Sequence, residues 1–219
     1  MVVVEYIERM TKLYHFYHLW VGGNWKGIVT EHIDILKRYG LLDHLEDMYV
    51  GIVGTPDDRD IAKKYLDTLS FKYKVVVEAD TGYEQITQTV MHKFSHENDG
   101  YVLYTHNKGS FHSGATNEAW RKSMTYHNVV CWRSTTKYLD TMDAVGCHWL
   151  TPEAYPQLVI SPFFGGTFWW TKLSYLRTLD PPLNNSRYDA ESWIGTKNGI
   201  KTYDLCPGWP AMQLFTTVW

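Results

Sequence analysis

The sequence predicts an α/β domain built on a largely parallel, doubly wound sheet. Three observations carry that class. Four short apolar runs rich in β-branched and aromatic residues punctuate the first half. Helical patterns separate them, and helix-start signals follow the runs directly. The 219 residues suffice for one large domain or two small ones. With no internal repeat, low-complexity tract or linker, a single domain over residues 1–219 is expected.

The first strand is Tyr14 to Val21, closed by Gly22-Gly23-Asn24. Asn24 can cap a helix running to about Tyr39, with Gly40 as its stop and Val29, Ile33 and Leu36 as its buried stripe. Tyr49 to Val53 is the second strand. Thr55-Pro56-Asp57-Asp58 then supplies cap, proline and acidic first turn for a helix with Ile61, Tyr65 and Leu69 inward. The third strand is Val75-Val76-Val77-Glu78-Ala79-Asp80. Thr81-x-x-Glu84 reads as a capping box opening a helix with Ile86, Val90 and Phe94 on one face. A fourth strand, Tyr101 to Tyr104, leads into Thr105-His106-Asn107-Lys108-Gly109. Right-handed crossovers would set all four strand exits along one sheet edge.

The second half is less regular. Trp120, Met124 and His127 suggest a helix, Ala144-Val145-Gly146 and Leu158-Val159-Ile160 short strands. Helical patterns return at Thr171 to Leu179 and around Asp189 to Ile194.

Composition narrows the function. A net charge of −3 with mixed signs leaves no electrostatic footprint for nucleic acid. No apolar run is long enough for a transmembrane helix, and charge breaks the N-terminal run too early for a secretory signal. Three widely spaced cysteines form neither a disulfide framework nor a zinc pattern, which suits a reducing, cytoplasmic setting. Ten tryptophans and sixteen tyrosines are mostly core material, and planar residues also stack on sugar rings. The apolar end Phe215–Trp219 suits a module of a longer protein. No G-x-S-x-G elbow, P-loop or G-x-G-x-x-G is present.

Four groups of residues could carry chemistry. Glu78 and Asp80 project from one face of a strand exit, where open α/β sheets bind ligands and where Mg²⁺ or Mn²⁺ could be held on a diphosphate. Alternatively, Asp80 closes the turn and Glu78 is a solvated charge. His106 and Lys108 could meet a phosphate, or form a polar turn. Gly165 and Gly166 permit close approach of a ligand to a wall that includes Trp169, or simply turn above a core. Glu191, early in a helix, could be a general base; spacing does not choose between it and Asp189.

The segments Tyr101–Gly109, Asp143–Gly146, Gly165–Trp170 and Arg187–Gly195 resemble, in that order, blocks of nucleotide-sugar glycosyltransferases with the GT-A fold. Bacterial polysaccharide and rhamnan-type enzymes and the chlorovirus domains that decorate the major capsid protein are the nearest in pattern. The resemblance covers nearly the whole chain. It implies a single GT-A-like, Rossmann-like domain with a mostly parallel, mixed sheet. Residues 1–110 would form the nucleotide-binding half and 111–219 the acceptor and catalytic half.

It further implies transfer of a hexose or deoxyhexose, glucose or rhamnose, from a UDP-linked donor to a glycan or glycoprotein, with inversion. The catalytic base would be Glu191, with Asp189 as its understudy. Gly22, Glu78, Asp80, His106, Lys108, Gly165, Gly166 and Trp169 would bind the nucleotide sugar. Glu78-Ala79-Asp80 resembles a relaxed acidic motif for Mn²⁺ or Mg²⁺, displaced one strand early from its usual place. A viral member would work in the host cytoplasm. A carbohydrate-binding module and a nucleotide-sugar-modifying enzyme are the alternatives.

Overall fold

A computed structural model describes residues 11–111, 114–156, 159 and 161–208. The first half alternates as the sequence predicts: β1 (Leu13–Trp20), α1 (Trp25–Arg38), β2 (Leu45–Val53), α2 (Pro56–Thr68), β3 (Lys74–Ala79), α3 (Gln85–Ser95) and β4 (Tyr101–His106). The second half adds α4 (Ala115–Thr125), α5 (Trp132–Thr135), β5 (Ala144–Gly146), β6 (Trp149–Leu150) and β7 (Phe163–Phe164). Then come β8 (Trp169–Lys172), α6 (Leu173–Leu176), α7 (Arg187–Ser192) and β9 (Thr202–Asp204).

Seven strands form the central sheet in the order β3-β2-β1-β4-β8-β5-β9. β3, β2, β1 and β4 are parallel neighbours, β8 runs antiparallel between β4 and β5, and β9 is parallel to β5. The chain winds outward from β1 to β3, then jumps back to lay β4 on the other side of β1. With right-handed crossovers, that reversal places α1 and α2 on one face and α3 on the other. The packing follows the pleat. Leu19, Ile52, Leu103, Val145 and Trp170 join Ile33, Leu66 and Trp132 on the α1 side. Phe16, Tyr49, Tyr104, Ala144 and Trp169 join Met91, Leu176 and Trp193 on the α3 side.

The expected caps behave differently: Asn24 stands at the N-cap position of α1 without a side-chain capping bond, whereas the start of α2 is fully capped. Thr55 and Asp58 form a reciprocal capping box with Pro56 at the first position of α2. Two stripes differ from expectation. In α2 the buried residues are Ala62 and Leu66, while Ile61 is 48% exposed. In α3, Ile86, Val90 and Phe94 are only half-buried, and the deepest face is polar. That face works as a set of ties: Gln88 Nε2 donates to the Ala190 carbonyl at 2.9 Å, His92 Nε2 bonds the Leu179 carbonyl at 2.9 Å, and Gln85 bonds the Ser186 carbonyl. A hydrophobic stripe would leave those carbonyls of α7 and its approach unpaired.

The pattern read as a helix from Thr171 splits, because Trp169–Lys172 pairs between β4 and β5 before α6 begins. In the expected strand at 158–160, Leu158 and Ile160 lie outside the described residues. Val159 is not in a strand; its N–H donates to the Tyr155 carbonyl.

Candidate active site

The reversal of winding between β1 and β4 creates a topological switch point, where neighbouring crossovers leave on opposite faces and a crevice opens at the strand exits. A cleft of about 580 Å³ occupies it. His18 and Trp20 line it from β1, His106 to Phe111 from β4 and the turn beyond. Tyr83 and Glu84 enter from the α3 approach, Asn117 and Trp120 from α4, and Arg187 and Glu191 from α7.

Asn107 holds the fork open. The Trp20 N–H donates to Asn107 Oδ1 at 3.0 Å, and Asn107 Nδ2 donates to the Trp20 carbonyl at 2.7 Å and Ser110 Oγ at 3.1 Å. Its side chain thus replaces the backbone ladder where β1 and β4 diverge. Gly109 takes φ +89°, a conformation that favours glycine, and turns the chain back over the cleft.

Lys108 lies with Nζ 3.7 Å from the centroid of the Trp120 ring, a close cation–π contact. Burial lowers it to about 8, against the pull of Glu191 and Glu84, so the ammonium still dominates at neutral pH. Burial raises the Glu191 carboxyl, and Lys108 and Arg187 pull it back down. Arg187 Nη2 lies 3.7 Å from Glu191 Oε1, one helical turn away. The cleft therefore holds two cations around one half-buried carboxylate, a group placed for moving a proton.

A second carboxylate behaves differently. Glu84 sits at the N-cap position of α3 but makes no capping bond; its Oε1 lies 2.7 Å from His106 Nδ1. Burial alone would raise it, yet the bond and charge of His106, with His18 behind, hold it well below the usual carboxylate range. Burial lowers His18 to about 4, and its Nδ1 bonds Thr87 Oγ1 at 2.9 Å.

Of the residues expected from sequence, His106, Lys108 and Glu191 meet in this cleft. Asp189 does not. Its Oδ2 accepts the N–H groups of Asn185 and Ser186 at 2.8 Å each, capping α7, and it faces a separate groove with Thr178 and Trp193. Two residues along a helix turn about 200°, so one side chain caps while the other enters the cleft. Trp169 is fully buried and stacks on Tyr104 at 5.1 Å, which corrects its expected place in a sugar-facing wall. Gly22 lies under the Trp20 ring, whose atoms come within 2.1 Å of where a Cβ would stand. Gly165 and Gly166 stand behind the cleft lining: the Gly165 N–H donates to the His148 carbonyl at 2.8 Å, and the Gly166 carbonyl meets His106.

The pair Glu78/Asp80 is the main correction. β3 is the edge strand, two strands from the switch point. Arg59 Nε reaches Glu78 at 3.2 Å, Lys63 Nζ reaches Glu78 at 3.0 Å, and the Arg59 guanidinium also bonds Asp80. Carboxylates already paired with cations do not fit a metal. Among the described residues, no group of three or more His, Cys, Asp or Glu could hold one.

Glu84, Arg187, His18 and Trp120 are site residues that sequence reasoning left without a role there. Glu84 carried a signal, being a carboxylate beside a strand exit, but it read as a cap. Nothing in the spacing marked Trp120.

A protein-family profile described as "Domain of unknown function (DUF8361)" matches residues 16–198. The chain belongs to this family. The matched span contains every residue named in the cleft, and it ends before β9. No curated protein sequence matches the chain. Among solved structures, the domain is similar to the mannosyltransferase PcManGT from Pyrobaculum calidifontis, in complex with GDP-Man and Mn²⁺. That match has 15% identity and a TM-score of 0.53, covering 90% of this chain and 55% of the mannosyltransferase. The DUF8361 chain thus spans about half of that enzyme's length. It is also similar to a 4-diphosphocytidyl-2C-methyl-D-erythritol synthase from Anaerococcus prevotii, with 10% identity, a TM-score of 0.47 and 90% of each chain covered. A third structure is Rv0371C of Mycobacterium tuberculosis H37Rv in complex with manganese, with 8% identity, a TM-score of 0.48, and 95% and 100% covered. The fold is GT-A-like: a single α/β domain with a mixed, mostly parallel seven-stranded sheet flanked by helices.

Proposed function

We propose that this domain is a glycosyltransferase that moves a hexose or deoxyhexose from a nucleoside-diphosphate sugar to a hydroxyl of a glycan or glycoprotein. One observation carries the reading. At the switch point of a GT-A-like sheet, Lys108 and Arg187 face the same cleft as the half-buried carboxylate Glu191, whose carboxyl burial pushes up. The diphosphate needs cations, the incoming hydroxyl needs a base, and this cleft offers both within one turn of α7 and the β4 exit.

In the step proposed, the acceptor oxygen attacks the anomeric carbon as the bond from that carbon to the diphosphate oxygen breaks. The acceptor proton passes to Glu191, and the charge left on the nucleoside diphosphate is met by Lys108 and Arg187. Attack opposite the leaving group inverts the anomeric centre. Residues 1–110 would hold the nucleotide, with Trp20 and Tyr83 as planar faces. Residues 111–219 would supply Glu191 and the acceptor side. UDP, glucose or rhamnose as the sugar, and a capsid glycoprotein acceptor in a host cytoplasm all come from family resemblance. Among the described residues no helix is long and apolar enough to cross a membrane.

No step is routed through a metal, because Glu78 and Asp80 do not fit one. Asp80→Asn should leave UDP affinity within about twofold, as expected of an exposed surface ion pair. A tenfold loss would return that pair to the site.

Calorimetric titration with UDP, GDP and their sugars tests the reading. UDP or GDP binding at micromolar strength supports it. Binding of glycans without nucleotides would make the domain a carbohydrate-binding module, and preference for a nucleoside triphosphate would make it a nucleotidyltransferase. Lys108→Met should weaken UDP binding by about 10–100-fold, the worth of one charge-assisted bond. Unchanged affinity would remove Lys108 from the phosphate site.

A further inference from the structure

His106 ends β4 with both ring nitrogens engaged. Nδ1 lies 2.7 Å from Glu84 Oε1, and Nε2 lies 3.2 Å from the Gly166 carbonyl oxygen. An ionised carboxylate and a carbonyl only accept hydrogen bonds. Neutral imidazole has one N–H, so either tautomer would set a nitrogen lone pair against an oxygen. The imidazolium alone donates to both. The edge of Phe168, 5.6 Å away at 72°, fixes the ring plane.

We infer that His106 is an imidazolium latch, clamped by Glu84 and positioning the Gly165–Gly166 turn behind the cleft. Gly166 is suited to be the latched residue. It holds φ +87°, and a Cβ there would stand 2.6 Å from Met124 Sδ and 3.0 Å from Trp120 Nε1. The turn is therefore pressed against α4, and its carbonyl direction is set by backbone that only glycine adopts readily. Through Trp120 the same turn backs the ring on which Lys108 rests. The latch links the α3 approach, β4, the glycine turn and α4 at one point.

Two consequences follow. His106 has no N–H left for a phosphate, so its contribution to the cleft is charge and position. This makes it a positioning residue. And loss of one ring proton must break one of the two bonds. The bond to the neutral carbonyl is the weaker, so the turn is released first. The charged and titratable groups around the ring are Glu84 on the α3 approach, His18 on β1, Glu191 and Arg187 on α7, and Lys108 two residues along.

Long-range ¹H–¹⁵N correlation spectra of the labelled protein test the latch, with the His106 signals assigned by their loss in His106→Gln. Both nitrogens should be protonated at pH 7.5. In Glu84→Gln, which keeps an acceptor but removes its charge, one proton should be lost at the same pH. Amide exchange at Gly165 and Thr167 should then speed up by about tenfold or more. A singly protonated ring in the native protein overturns the inference, as does a ring that stays doubly protonated in Glu84→Gln. The effect on catalysis rests on the glycosyltransferase reading: Glu84→Gln should impair transfer while UDP affinity, read by calorimetry, stays within about threefold. Intact spectra with no transfer in any variant would count against that reading and leave the latch standing.

Discussion

Glu191→Gln should lower sugar transfer by about 10²–10⁴-fold, the usual worth of general-base help, while UDP affinity changes by less than about threefold. The substitution keeps the shape of the side chain and its place beside Arg187, and removes only the ability to take a proton. Asp189→Asn is the control. It touches the α7 cap, so it should lower stability by about 1 kcal/mol and leave turnover of the folded protein nearly unchanged. Single-turnover assays with radiolabelled donor separate the two outcomes. Full turnover in Glu191→Gln removes that residue from the chemistry.

Acid should begin to destabilise the domain below about pH 6.5, before its carboxylates start to titrate. His15, His18 and His32 are buried and neutral in the core around β1. His15 Nε2 bonds Thr105 Oγ1 at 2.8 Å, and Thr105 Oγ1 lies 3.4 Å from His32 Nε2. Burial lowers His18 to about 4 and His32 to about 3 from an ordinary 6.5, and it drives His15 well down. In the unfolded chain these rings protonate near pH 6.5, whereas folded they resist. The stability they contribute is therefore complete above pH 6.5 and is lost as pH falls towards 4. By pH 4.5, His18 and His32 together remove on the order of 5 kcal/mol, comparable with the whole stability of many domains. The Glu84–His106 pair weakens in the same direction once the carboxylate protonates, at lower pH still. Urea unfolding at pH 7.5 and 4.5 measures the difference, and His32→Gln should flatten it. Equal stability at both pH values would show that these rings are not buried as described.

The contrast between Glu78 and Glu84 explains how far the sequence could be read. Both are carboxylates near the exit of β3, and the one on the strand looked the better ligand. Strand order decided otherwise. β3 lies at the sheet edge, where Arg59 and Lys63 from α2 reach Glu78. Glu84, a few residues on, is carried by the approach to α3 back towards β4 and meets His106 there. The apparent capping box Thr81-x-x-Glu84 misled because α3 starts at Gln85, which leaves Glu84 itself at the N-cap position with its carboxylate turned to His106.

Trp169 and Trp170 make the same point within the core. Adjacent aromatics on a strand must face opposite sides of the sheet, so both are buried, one against Tyr104 and one with its Nε1 donating to the Asn128 carbonyl at 2.8 Å. Read as a loop, the same residues look like a ligand wall. Only the pairing of β8 between β4 and β5 removes that reading.

What the sequence by itself determined is local. It specified the β1 to β4 rhythm with its intervening helices, the cap, proline and acidic first turn at Thr55–Asp58, the polar turn from His106 to Gly109, and a carboxylate early in α7. Each of these depends on residues within a few positions of one another, where periodicity and capping chemistry act. The tertiary structure decided which of them meet. The jump from β3 back to β4 moved the switch point to β1, left Glu78 and Asp80 at the edge, and turned Glu191 rather than Asp189 into the cleft. Those outcomes rest on strand pairing and helix rotation between segments far apart in sequence, and no short-range spacing encodes them.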